Sequence, residues 1–215
     1  MFNALHLRNY SEGNKMKLSK TIYKTLSVFC LVAACSVFIC GQQADASYNV
    51  SLNLVIGSND GASKGELPAE LAAVSKQIRS SFQFSNYRVA NTLIGRISNN
   101  GTFQYQSVAN ISEKEPLPAS PTFLDWSLVN LKSMPNAKGQ MGFQAQTFRF
   151  GARVPVVTGS HQENGKTTDS VNYESIGLSL QRLGITENMP TVVGTLTLPG
   201  TSGTIFLIMT VKSAD

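Results

Sequence analysis

Val154-Pro155-Val156-Val157-Thr158-Gly159-Ser160, then a polar stretch, then Val171-Asn172-Tyr173-Glu174-Ser175-Ile176-Gly177-Leu178-Ser179-Leu180, form the segment on which the reading of this chain turns. An apolar strand carrying a proline, a loop rich in Gly, Asn and Thr, and a second strand of alternating apolar residues describe a β-hairpin. Too little apolar surface lies between Gly159 and Gly165 to order a loop, so residues 160–168 are expected to be exposed, on a stem of 154–158 paired with 171–180. Pro155 removes one ladder donor, which places its strand at an edge.

Outward from this hairpin, the rest of the C-terminal half reads as β. Apolar and β-branched stretches at 123–131, 141–150, 152–158, 171–180, 191–198 and 204–211 are separated by Pro135-Asn136, Asn164-Gly165 and Pro199-Gly200. Upstream, Pro116, Pro118 and Pro121 with Glu113, Lys114 and Glu115 make residues 110–121 a linker. Residues 47–109 read as β-α-β-β. Val50, Leu52, Leu54 and Ile56 alternate with polar residues, and Leu67, Leu71, Val74, Ile78 and Phe82 recur at helical spacing behind Pro68. Tyr87, Val89, Leu93 and Ile97 lead to a hairpin turn at Asn99-Asn100-Gly101. The expected class is α+β: an N-terminal β-α-β-β unit at 47–109 followed by a mainly antiparallel β domain at 122–215.

The N-terminus reads as an export signal. Lys17, Lys20 and Lys24 precede a largely apolar run over 26–39, and Ala44-Asp45-Ala46 supplies a small-x-small cleavage site before Ser47. Residues 1–46 are therefore assigned to a signal peptide, with Met16 as an alternative start; a retained anchor and a lipoprotein at Cys35 are the other readings. Cys30, Cys35 and Cys40 all fall in that segment, leaving the mature chain without thiols, disulfides or cysteine metal ligands. From Ser47 onward Lys and Arg number 13 and Asp and Glu 11, so a net charge of +5 falls to +2. No basic run with interleaved aromatics remains, and nucleic acid is not an expected partner.

Chemistry is sparse. His161 is the single histidine of the mature chain, and its neighbour Ser160 points to the opposite side of an extended backbone, so the two make no nucleophile–base pair. Gly177-Leu178-Ser179-Leu180-Gln181 lacks the final Gly of a nucleophile elbow and lies in a strand. The loop from Gly57 to Gly65 has a phosphate-loop flavour without its spacing, since Lys64 is followed by Gly. Asn49, Asn100 and Asn110 open glycan-acceptor triplets too short to carry weight. Phe123, Trp126, Phe143, Phe148 and Phe150 read as packing rather than as a ligand platform, and Arg149 and Arg153 as edge-protecting cations that could also hold an acidic partner. No catalytic, cofactor or metal residue is assigned, and the protein is read as non-enzymatic.

The wording of residues 148–211 resembles the secretin family, the outer-membrane pores of type II and type III secretion. The residues that carry it are Val154, Pro155, Thr158, Gly159 and Ser160 in the first strand and Val171, Tyr173, Gly177 and Leu178 in the second, with Val192, Val193, Gly194 and Leu196 in a closing strand and an apolar strand from Thr204. Thr195 stands where the family usually has a second Gly, and only a short loop at 183–189 separates the Leu178 strand from the Thr191 strand. That interval is too short for an added membrane-spanning hairpin, whose strands take roughly 9 to 11 residues each. The resemblance implies an exported periplasmic or outer-membrane protein that pairs with copies of itself or with other envelope and secretion proteins, as a structural component of a secretion or pilus-type assembly. The alternative is a soluble periplasmic module that keeps the strands and docks a protein or glycan.

Overall fold

The structure, a computed structural model, describes residues 46–59, 66–109, 111, 120–135, 137–163, 166–199 and 203–214. The export signal, the cysteines, most of the Gly57–Gly65 loop and nearly all of the Pro-rich segment lie outside these residues. Eight strands follow in order: β1 (Ser47–Ser58), β2 (Asn86–Ser98), β3 (Gly101–Ala109), β4 (Thr122–Pro135), β5 (Met141–Glu163), β6 (Lys166–Thr186), β7 (Thr191–Thr197) and β8 (Thr204–Ser213). One helix, α1 (Ala72–Ser81), is entered through a 3-10 turn at Ala69–Leu71.

The strands form two antiparallel four-stranded sheets, β2-β1-β8-β7 and β3-β4-β5-β6. This corrects the expected α+β class. The β-α-β-β order is present along the chain, but its strands do not share a layer: β1 and β2 pair with each other, β1 pairs on its other side with β8, and β3 joins the second sheet. The Asn99-Asn100 turn is correspondingly not a hairpin turn. It carries the chain between sheets, with Asn100 at φ 59° and its N–H donated to Leu131 O at 2.7 Å. Asn188, also at φ 59°, makes the return crossing between β6 and β7 and donates to Val211 O at 2.9 Å. Asparagine tolerates this left-handed conformation better than most residues, which is why both corners carry it.

Alternation explains the core. Val50, Leu52, Leu54 and Ile56 of β1 and Ile205, Leu207, Met209 and Val211 of β8 face Leu124, Trp126, Leu128, Phe148 and Phe150 of the second sheet in one apolar cluster. The first sheet is covered on its other side too. Val55, Tyr87, Phe206 and Ile208 pack under Leu67, Leu71, Val74 and Ile78, so four of the five residues read as the helical face are buried, while Phe82, in extended backbone just past the helix, is exposed. Burial on both sides accounts for the unbroken apolar run Ile205-Phe206-Leu207-Ile208-Met209.

The second sheet carries a crease. Inward residues alternate by two along β4 as Leu124, Trp126 and Leu128, then skip to Leu131; β5 skips from Ala145 to Phe148, and β6 from Leu180 to Leu183. The three skips share one register line, because Val129 pairs with Thr147 and Thr147 with Gln181, while Leu131 pairs with Ala145 and Ala145 with Leu183. Two consecutive rows are therefore missing from the inward set, Val129-Thr147-Gln181, with Thr147 itself buried, and Asn130-Gln146-Arg182, and strands of 14, 23 and 21 residues stay paired across the fault without slipping.

Candidate functional site: the β5–β6 ribbon and its free edge

β4 pairs with β5 only as far as Phe123 opposite Arg153. Beyond that point β5 and β6 pair with each other alone, from Val154 opposite Glu174 to Glu163 opposite Lys166. At about 3.3 Å per residue these ten positions make a ribbon reaching roughly 30 Å past the last β4 pairing. Pro155 lies two residues beyond that pairing, where β5 has lost its β4 neighbour and a missing N–H leaves no acceptor unpaired. The expected loop is shorter than residues 160–168: Ser160 pairs with Asp169 and His161 with Thr168, while 164 and 165 lie outside the described residues. Side chains of 158–162 and 167–170 are exposed.

The residues singled out in sequence fall into three settings. Val154 is buried in the core and anchors the ribbon's base. Pro155 pairs with Tyr173, and Val171 with Val157; beyond them a bulge falls between Val157 and Gly159, where Thr158 Oγ1 donates to Ser170 O at 3.3 Å and Gly159 pairs with Ser170. Gly177, Leu178 and Gly194 meet at a corner of the sandwich instead. A Cβ on Gly194 would run into the end of the Leu178 side chain, whereas a Cβ on Gly177 would lie 2.7 Å from Phe150 O, so it is Gly177 whose position requires close backbone approach. Val193 is buried in the main core with Leu196 packed against it, and Val192 packs on the helix side.

At the base of the ribbon the outer face is partly apolar. Phe123 and Tyr173 are 36% and 39% exposed, with ring centroids 5.8 Å apart, and the Arg153 guanidinium lies 4.9 Å from the Phe123 ring centre. Stacking on Phe123 gives Arg153 a cation–π role that sequence alone did not assign. Gln106, Asp125, Arg153 and Phe123 border an open depression of about 310 Å³. Among the described residues no three His, Cys, Asp or Glu side chains stand together as a metal-binding group. No described helix is long and apolar enough to cross a membrane.

Among the described residues β6 is the outer strand of its sheet, and one side of its 21 residues has no partner strand there. It carries no proline, and its only interior Lys or Arg is Arg182. Of the devices that usually blunt an edge, its interior carries three exposed charges, Asp169, Glu174 and Arg182, spread over a long strand. β3, nine residues long, is the free strand at the other margin of the same sheet.

No family model and no curated protein matches the chain. Among solved structures it is similar to the InvG secretin domain β-barrel from the Salmonella SPI-1 injectisome, with 11% identity over 89% of this chain and 68% of that one and a TM-score of 0.28. It is also similar to Salmonella InvG (residues 176-end) in the open gate state, with 10% identity, 90% and 66% coverage and a TM-score of 0.32. A third InvG structure gives 9% identity, 90% and 70% coverage and a TM-score of 0.28.

Proposed function

We propose that this is an exported, non-enzymatic envelope protein that assembles with copies of itself through its second sheet, as a structural component of a secretion or pilus-type outer-membrane assembly. The observation that carries the reading is the free edge of β6 continuing into the β5–β6 ribbon: a long row of unpaired backbone groups is a template for a further strand. β6 of one copy beside β3 of the next is a head-to-tail contact, which closes into a ring when the rotation allows. The secretin-like wording of the same strands agrees with this use. A second reading, a periplasmic module that docks a protein or glycan, is favoured by the depression beside Phe123, where an aromatic face, Asp125, Gln106 and Arg153 converge.

Chemical crosslinking separates the two. Val156, half-buried on the ribbon, is replaced by Asp, and in a second variant residues 162–166 are deleted. Assembly predicts that the Val156→Asp chain loses its crosslinked oligomers while the tip deletion keeps them. A proline scan along β6 sharpens the test: prolines at positions whose N–H points away from β5 leave the monomer folded and block oligomers. A wild-type chain that never crosslinks transfers the case to the binding module. Export is read independently by fractionation, where an uncleaved cytosolic product would defeat it.

A further inference from the structure

The crease leaves Asn130, Gln146 and Arg182 side by side on β4, β5 and β6, at the register position between the pairs of Val129 and Leu131. Asn130 has φ 54° and Arg182 φ 57°, a left-handed conformation inside two strands. Asparagine adopts it with modest strain, but arginine has no such excuse, and backbone strain of this kind persists where the surroundings impose it and clusters at functional sites.

The row Asn130-Gln146-Arg182 and the next outward row, Lys132-Gln144-Gly184, hold an open depression of about 330 Å³ lined by Asn130, Lys132, Gln144, Gln146 and Arg182. Its cations come from the flanking strands β4 and β6, and two amides come from the central strand β5. Among the described residues no carboxylate lines it. Neither Lys132 nor Arg182 has an ion-pair or side-chain hydrogen-bond partner among the described residues. Asn130 Nδ2 donates to Gln146 Oε1 at 3.2 Å, which leaves the Gln146 amide N–H groups to serve another acceptor. The corner beside Gln144 is Gly184, where a Cβ would meet nothing within 4 Å, so the depression stays open toward the β6 edge.

The geometry points to an anion site that takes a phosphorylated group, the phosphate seated between Lys132 and Arg182 and the group that carries it lying over Gly184. A planar carboxylate is satisfied by one guanidinium fork. Cations on opposite sides with amide donors between them suit a tetrahedral dianion that presents several acceptor oxygens. The site lies across the crease from the ribbon and is independent of whether the chain assembles.

Full-chain protein is titrated with inorganic phosphate by calorimetry, and its binding to phosphatidylcholine vesicles with and without phosphatidic acid is measured by co-sedimentation. Lys132→Gln and Arg182→Asn are compared with Arg149→Gln, which removes a cation from the same face outside the depression; Asn at 182 retains the left-handed backbone. Each site variant is expected to weaken phosphate binding about tenfold, the scale of one charge-assisted hydrogen bond, while Arg149→Gln leaves it within twofold and none of the three unfolds below the wild-type midpoint. Vesicle binding with the same variant sensitivity identifies a lipid headgroup as the source; phosphate binding without vesicle binding identifies a soluble phosphate ester. No phosphate or vesicle binding, or an Arg149→Gln chain that weakens as much as the other two, overturns the assignment.

Discussion

Trp126 is 1% exposed, yet its indole N–H has no hydrogen-bond acceptor among the described residues. Its nearest aromatic neighbour is Phe103, with a centroid 4.8 Å away and a tilt of 60°, so ring–ring contact takes the place of a polar partner. Trp126→Phe is therefore expected to cost no more than about 1–1.5 kcal/mol, the range of a size-adjusted apolar swap, whereas Trp126→Ala should cost about 3–5 kcal/mol. Urea unfolding of both variants checks the contrast. The corner glycines make a second pair. A methyl at Gly194 meets the end of the half-buried Leu178 side chain, which can turn away, but a methyl at Gly177 meets the Phe150 carbonyl, which is fixed in the ladder. Overpacking costs about 1–3 kcal/mol, and Gly177→Ala should fall at the top of that range with Gly194→Ala at the bottom.

Among the elements, α1 is held by what it covers rather than by its ends, since neither it nor the preceding turn has a side-chain cap hydrogen bond. Ile78→Ala should cost about 2–5 kcal/mol and Lys76→Ala, on the exposed side, within about 0.5 kcal/mol; thermal unfolding of the two reads whether the helix is integral to the sheet it covers. This element was legible because a 3.6-residue period survives any tertiary context that buries one face. The hairpin stem was legible for the same reason at a period of two. The crease was not read, although its trace is present: Leu128 to Leu131, Ala145 to Phe148 and Leu180 to Leu183 each break the alternation by one residue. A single break looks like noise, and only strand pairing shows that the three breaks coincide.

For the whole molecule, local pattern was a poor guide to layers. Asn-Gly between two strands normally closes a hairpin, but here the apolar faces of β2 and β3 are claimed by opposite sides of one core, so the turn bridges two sheets. Nothing in the local sequence announces that β1 takes β8 as its neighbour, with Tyr48 opposite Ser213 and Gly57 opposite Thr204. That pairing governs the order in which the molecule can be built. β8 is the last of the eight strands, yet it lies in the interior of its sheet, with β1 on one side and β7 on the other. Until β8 pairs the first sheet stays unfinished, and closing a contact across so much sequence is slow. Ending the chain before Thr204 is expected to yield no cooperative thermal transition rather than a slightly weaker one. Until β8 pairs, β7 has no link to β1 and β2, so the two sides of the first sheet are joined by that one strand.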